Sequence, residues 1–61
     1  MLKEHRTFEF VVEQTDRGWM ILAAPQPMGP FFSKAQALDL AEGMATAMRA
    51  MGDLVTVRVV D

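Results

Sequence analysis

The sequence predicts an α+β domain of ββαβ order: a three-stranded sheet with one helix packed on one face. Three observations carry that expectation. A capped amphipathic stretch occupies residues 33–52, a two-residue alternation runs through residues 7–24 across a turn, and a valine-rich run fills residues 54–60. The 61 residues suit a single domain, residues 1–61. A chain this short buries only about 60% of the surface its unfolded form exposes.

The first strand is expected over about 7–14. Phe8, Phe10 and Val12 point one way, while Thr7, Glu9, Val11 and Glu13 point the other, the period of a half-buried strand. Thr15-Asp16-Arg17-Gly18 supplies turn chemistry, and a second strand over about 19–24 completes a hairpin. Trp19, Ile21 and Ala23 face the helix, yet Met20, Leu22 and Ala24 on the other side are apolar as well. A strand that is apolar on both faces is normally covered on both.

Pro25-Gln26-Pro27-Met28-Gly29-Pro30 carries three prolines in six residues. It is expected to be a stiff extended connector that joins neither helix nor ladder, with Phe31 and Phe32 re-entering the core behind it. The helix is expected over about 34–51. Ser33 is placed as its N-cap, Gln36 completes a capping box, and Phe32 with Ala37 occupies the staple positions. Gly52 offers the left-handed residue that closes many helices. Wound at about 100° per residue, Ala37, Leu38, Leu40, Ala41, Met44, Ala45, Ala47, Met48 and Met51 form one broad apolar arc. Gly43 falls on the polar side, where it has no evident packing role.

The third strand is expected over about 54–60. Val55, Val57 and Val59 look inward, and Leu54, Thr56, Arg58 and Val60 look outward. With the helix between them, the second and third strands are expected to run parallel through a right-handed crossover. The first strand is placed in the middle, which sets Glu9 beside Arg58.

Composition excludes several classes of function. There is no cysteine, and His5 is the only histidine, so neither a disulfide framework nor a structural zinc site is available. Eight acidic and six basic residues leave a net charge of −2, without the basic stripe that phosphate binding demands. The longest apolar run, Trp19–Ala24, is six residues, against about 20 for a membrane-spanning helix. Together with the polar start of the chain, this points to a soluble, cytoplasmic, bacterial-type protein.

No constellation for catalysis emerges, and the chain is read as a non-enzyme with no catalytic residue, cofactor or metal. Ser33, the only serine, has a structural role as a cap, and His5 lacks an orienting partner. Asp39 and Glu42 share a polar helix face without further ligands. The glycines stand singly at 18, 29, 43 and 52, so there is no phosphate-binding loop. Pro27-Met28-Gly29-Pro30 matches bare P-x-x-P spacing without a flanking arginine. The cations Lys3, Arg6, Arg17, Lys34 and Arg58 are scattered, and Phe8, Phe10 and Trp19 sit in phase with the core rather than with an open stacking surface. Met44, Met48 and Met51 lie within the apolar arc and are read as core filling.

One helix covers one face of a sheet. The other face is expected to show Val11, Met20, Leu22, Ala24, Leu54, Thr56, Arg58 and Val60 as an interaction surface. A second copy of the chain, or another protein, is the partner expected there. An antitoxin-like or nucleic-acid-binding regulator is the alternative.

Gly18-Trp19-x-Ile21, Phe32-Ser33-Lys34-Ala35-Gln36-Ala37-Leu38 and Val55-x-Val57 together resemble a family of small bacterial domains of unknown function. In that family a tryptophan-bearing hairpin precedes a helix and a closing strand, and the likeness spans roughly residues 7–60. It implies the same ββαβ order. The hairpin and helix start are also similar to the antitoxin side of HicAB-type toxin–antitoxin pairs, the HicB-type domains. Neither likeness transfers a catalytic residue to this chain.

Overall fold

The computed structural model describes residues 6–23 and 26–60. Strands β1 (Thr7–Thr15), β2 (Gly18–Leu22) and β3 (Met28–Phe31) precede helix α1 (Lys34–Ala50), and β4 (Leu54–Val60) follows it. They form an open four-stranded mixed sheet in the order β3-β2-β1-β4. The α+β class, the single helix and the inner position of β1 match the expectation; the strand count does not.

The fourth strand lies inside the proline-rich connector. Met28 pairs with Ile21 and Phe31 with Trp19, with an irregularity between the two pairs. Proline is excluded from a ladder because it lacks an N–H, but at an edge the outward side needs no donor. Pro30 therefore sits in the outermost strand at little cost. Gly29 has φ +123, and a Cβ there would lie 3.0 Å from both the Trp19 carbonyl oxygen and Met20 Sδ. Only glycine allows β3 to close on β2 at that point.

β3 also corrects the predicted direction of the crossover. β1 and β2 are antiparallel, β2 and β3 are antiparallel, and β1 and β4 are parallel. β4 thus runs against β2, not with it. The two parallel strands that α1 connects are β3 and β4, at opposite edges of the sheet. Without β3 in the count, the crossover rule was applied to the wrong pair.

The hairpin closes through side-chain chemistry as well as register. Thr15 pairs with Gly18; its Oγ1 donates to the Gly18 carbonyl at 2.9 Å and accepts from the Arg17 N–H at 3.1 Å.

Both ends of α1 follow the predicted chemistry, with two changes. The Gln36 N–H donates to Ser33 Oγ at 3.1 Å, and Gln36 Oε1 accepts the Phe32 N–H at 2.7 Å. The reciprocal bond of the capping box thus lands one residue upstream of the cap. Phe32 is not a staple: it is 97% exposed, since Ala37 is too short to reach it and is itself covered by the sheet. Phe31 alone of the pair joins the core margin. At the other end Met51 caps α1 and Gly52 has φ +98. The Gly52 N–H donates to the Arg49 carbonyl and the Asp53 N–H to the Met48 carbonyl, at 3.0 and 3.1 Å. This is the paired-bond termination that a left-handed glycine permits.

The core is narrow. Ala37, Ala41 and Ala45 are fully buried against Phe10, Val12, Ile21 and Val55. Their four-residue spacing puts three methyl groups on one line of the helix, so the backbone of α1 lies close to the sheet. Leu38, Met44 and Met48 flank the line and are partly buried. The predicted arc is wider than the contact: Leu40 is 42% and Met51 75% exposed, and Ala47 is exposed too. Core filling therefore applies to two of the three stripe methionines.

β4 is anchored beside β1 by its first residues. The Leu54 N–H donates to the Arg6 carbonyl at 2.8 Å. The Arg6 guanidinium grips the buried Asp53 carboxylate as a fork, Nε to Oδ1 and Nη2 to Oδ2, each at 3.1 Å. That hydrogen-bonded contact, and then the carboxylate's charge, raises the Arg6 pKa above its ordinary value.

Candidate interaction surface

Because α1 covers the side of Phe10, Val12, Ile21 and Val55, strand alternation turns Thr7, Glu9, Val11, Glu13, Met20, Leu22, Leu54, Thr56, Arg58 and Val60 to the opposite face. Among the described residues no helix lies on that side. By the same alternation, seven of the eight residues expected as an interaction surface belong to this face of the sheet. The eighth, Ala24, lies outside the described residues, as do Lys3, His5 and Pro25.

Register shows how the face is organised, which alternation alone could not. Leu22, Val11 and Arg58 form one row across β2, β1 and β4, and Met20, Glu13 and Val60 form the next. Glu9 with Thr56 and Thr7 with Leu54 complete the β1–β4 side. The surface is divided. Met20, Leu22, Val11 and Val60 gather at one end, each half-buried. Leu54, 56% exposed, stands six residues from Val60 along the same strand, about 20 Å away at 3.3 Å per residue. A polar band of Glu9, Thr56 and Arg58 separates the two.

The expected Glu9–Arg58 pair is present, with Arg58 Nε donating to Glu9 Oε2 at 3.3 Å. Both side chains are more than half exposed, so the pair orients the arginine more than it stabilises the fold. Glu13 differs. It is half-buried between Met20 and Val60, and its carboxylate has no hydrogen bond or ion pair among the described residues.

The remaining candidates are dispersed. Arg6 precedes β1 and Arg17 follows it in the turn, about 30 Å apart along a nine-residue strand. Lys34 lies over the Trp19 ring on the helix side, 5.9 Å from its centre. The described cations therefore do not converge on one surface. Ser33 is engaged at the helix cap. Asp39 and Glu42 are exposed, and no three His, Cys, Asp or Glu residues among those described approach closely enough to hold a metal ion. The described surface has no pocket, and no described helix is long and apolar enough to cross a membrane. Sequence reasoning missed the exposed ring of Phe32, because a phenylalanine just before a cap is ordinarily drawn inward.

No family model matches the chain, and neither a curated protein nor a solved structure shows significant similarity to it. The resemblances drawn from the hairpin and helix motifs thus rest on those motifs alone.

Proposed function

We propose that this chain is a small protein-interaction module that associates with a second copy of itself across the open face of its sheet. The observation that carries the reading is the apolar end of that face, Met20, Leu22, Val11 and Val60, set around the Glu13 carboxylate, which has no partner among the described residues. An apolar cluster open to water is better covered by a partner, and a partner that brings a cation to Glu13 avoids burying an unpaired charge. Arg58 lies one row from Glu13, so a copy stacked about a twofold axis has a cation available for each carboxylate. A protein partner of another kind, presenting an apolar surface with one basic group, meets the same chemistry.

Sedimentation equilibrium across the micromolar range tests this. The native chain is expected to associate, and Leu22→Lys to lose association across the open face while staying folded by circular dichroism. A native chain that stays monomeric at high micromolar concentration refutes self-association. Loss of folding in Leu22→Lys places Leu22 in the core instead.

A further inference from the structure

The sheet has two edges, and they are unequal. β3 is four residues long, holds Gly29 and Pro30, and is irregular in its pairing, all features that blunt an edge against further strands. β4 is seven residues, LVTVRVV, and pairs on one side only.

The direction of its backbone groups follows from one bond. The Leu54 N–H donates to Arg6, so in a parallel ladder Leu54, Thr56, Arg58 and Val60 turn their N–H and C=O groups to β1. Val55, Val57 and Val59 turn theirs outward. The Val55 carbonyl accepts from Arg49 Nε and Nη2 at 3.1 and 2.8 Å, which confirms its outward direction. Among the described residues nothing bonds the outward groups of Val57 and Val59.

We infer that the free edge of β4 pairs with β4 of a second copy, antiparallel about a twofold axis at Val57, to make one continuous eight-stranded sheet. This joint is distinct from association across the open face. Three observations favour a second copy in this register. With a single competent edge, pairing closes after two chains rather than running on as a fibre. Centring on Val57 uses all seven residues and sets Leu54 opposite Val60 of the second copy. The isolated leucine then adjoins the apolar end of the neighbouring open face.

Charge selects the same register. Thr56 faces Arg58 of the second copy, whose own Glu9 already holds it at 3.3 Å in each chain. Each arginine then lies in a row with Glu9 of the opposite chain, across the short Thr56 side chain. Sliding by one pair in one direction sets Arg58 against Arg58, which is unfavourable. Sliding in the other opposes Leu54 to Arg58 and leaves Val60 unmatched. Arg49 donates twice to the Val55 carbonyl, so forming the joint requires one arm of that fork to yield the oxygen to the Val59 N–H of the second copy.

The test is amide hydrogen exchange read at Val57 and Val59 over a concentration series, beside sedimentation of the same samples. Both amides are expected to exchange freely when dilute and to become protected as the chain associates, while the Val11 amide, turned to β2, reports the fold throughout. Leu22→Lys is expected to keep this protection. Thr56→Arg, on an exposed position, sets like charges across the joint twice and is expected to weaken it about tenfold. Thr56→Arg combined with Arg58→Glu restores it. If Val57 and Val59 exchange freely in samples that sediment as dimers, the edge joint is wrong and the open-face reading survives. A chain that is monomeric throughout overturns both. Protected amides without rescue by the charge reversal overturn the register.

Discussion

Adjacent residues of β2 give the sharpest check on which side of the sheet is core. Ile21 is fully buried under α1, and Leu22 points to the open face, half-buried. Ile21→Ala removes three carbons. At about 0.8 kcal/mol per buried methylene the transfer loss is roughly 2.4 kcal/mol, and the unfilled cavity brings the total to about 3–4 kcal/mol. Leu22→Ala removes the same number of carbons from a site that water already reaches, so about 1 kcal/mol is expected. A domain of 61 residues is stable by about 3–9 kcal/mol at ordinary per-residue values, so the first change removes a large share of stability and the second does not. Urea titration followed through Trp19, the only tryptophan and one in contact with the core, measures both. The series is run at low micromolar concentration and repeated tenfold more dilute, so that association does not enter. If the two substitutions cost the same, or Leu22→Ala costs more, the assignment of faces is refuted.

Two glycines of the helix region should respond in opposite directions to alanine. A Cβ at Gly43 meets nothing within 4 Å, so Gly43→Ala is expected to stabilise by up to about 1 kcal/mol in thermal or urea unfolding; destabilisation would show that the position needs its glycine. Gly52 has φ +98, so Gly52→Ala is expected to cost about 1 kcal/mol or more in the same assay, and a neutral result would refute the left-handed termination. Phe32→Ser removes a ring that is 97% exposed and is expected to change stability by less than about 0.5 kcal/mol; a larger loss in the melting curve would mean the ring is covered.

What could be read from the residues was whatever local chemistry decides. Ser33 with Gln36 and Gly52 bound the helix because orphan N–H and C=O groups need particular side chains and dihedrals wherever the helix sits. The pleat assigned Val11, Met20, Leu22 and Val60 to the open face because its period is two in every sheet. The pairing of Glu9 with Arg58 followed once β1 stood beside β4. What escaped was decided between elements. Pro30 looked incompatible with a strand because the objection to proline is a missing donor, and only the position of β3 in the sheet shows that this donor has no use. Six of the nine apolar residues assigned to the arc, Ala37, Leu38, Ala41, Met44, Ala45 and Met48, face the sheet, but phase does not say how close the helix comes. That distance is set by Ala37, Ala41 and Ala45, and it leaves Leu40 and Met51 in water. The division of the open face into an apolar end and a lone Leu54 needed the β1–β4 register, which no single strand encodes.

The alanine line links this shallow core to the proposed association. Three methyl groups supply the fully buried part of the helix contact, where leucines would each bury a side chain worth about 1.5–3 kcal/mol. Several of the larger apolar residues lie outside that contact: Leu40 and Met51 at the margins of α1, and Met20, Leu22, Val11 and Val60 on the far face. No disulfide compensates, since there is no cysteine. In a domain of this size the usual remedy for a thin core is a metal, a crosslink or another chain. In the proposed dimer, burial of the far face adds apolar contact where the monomer lacks it, and binding to the folded form alone raises its stability by mass action. On that proposal, the close approach of α1 to one side of the sheet and the uncovered apolar end on the other are two parts of one arrangement, in which association supplements folding.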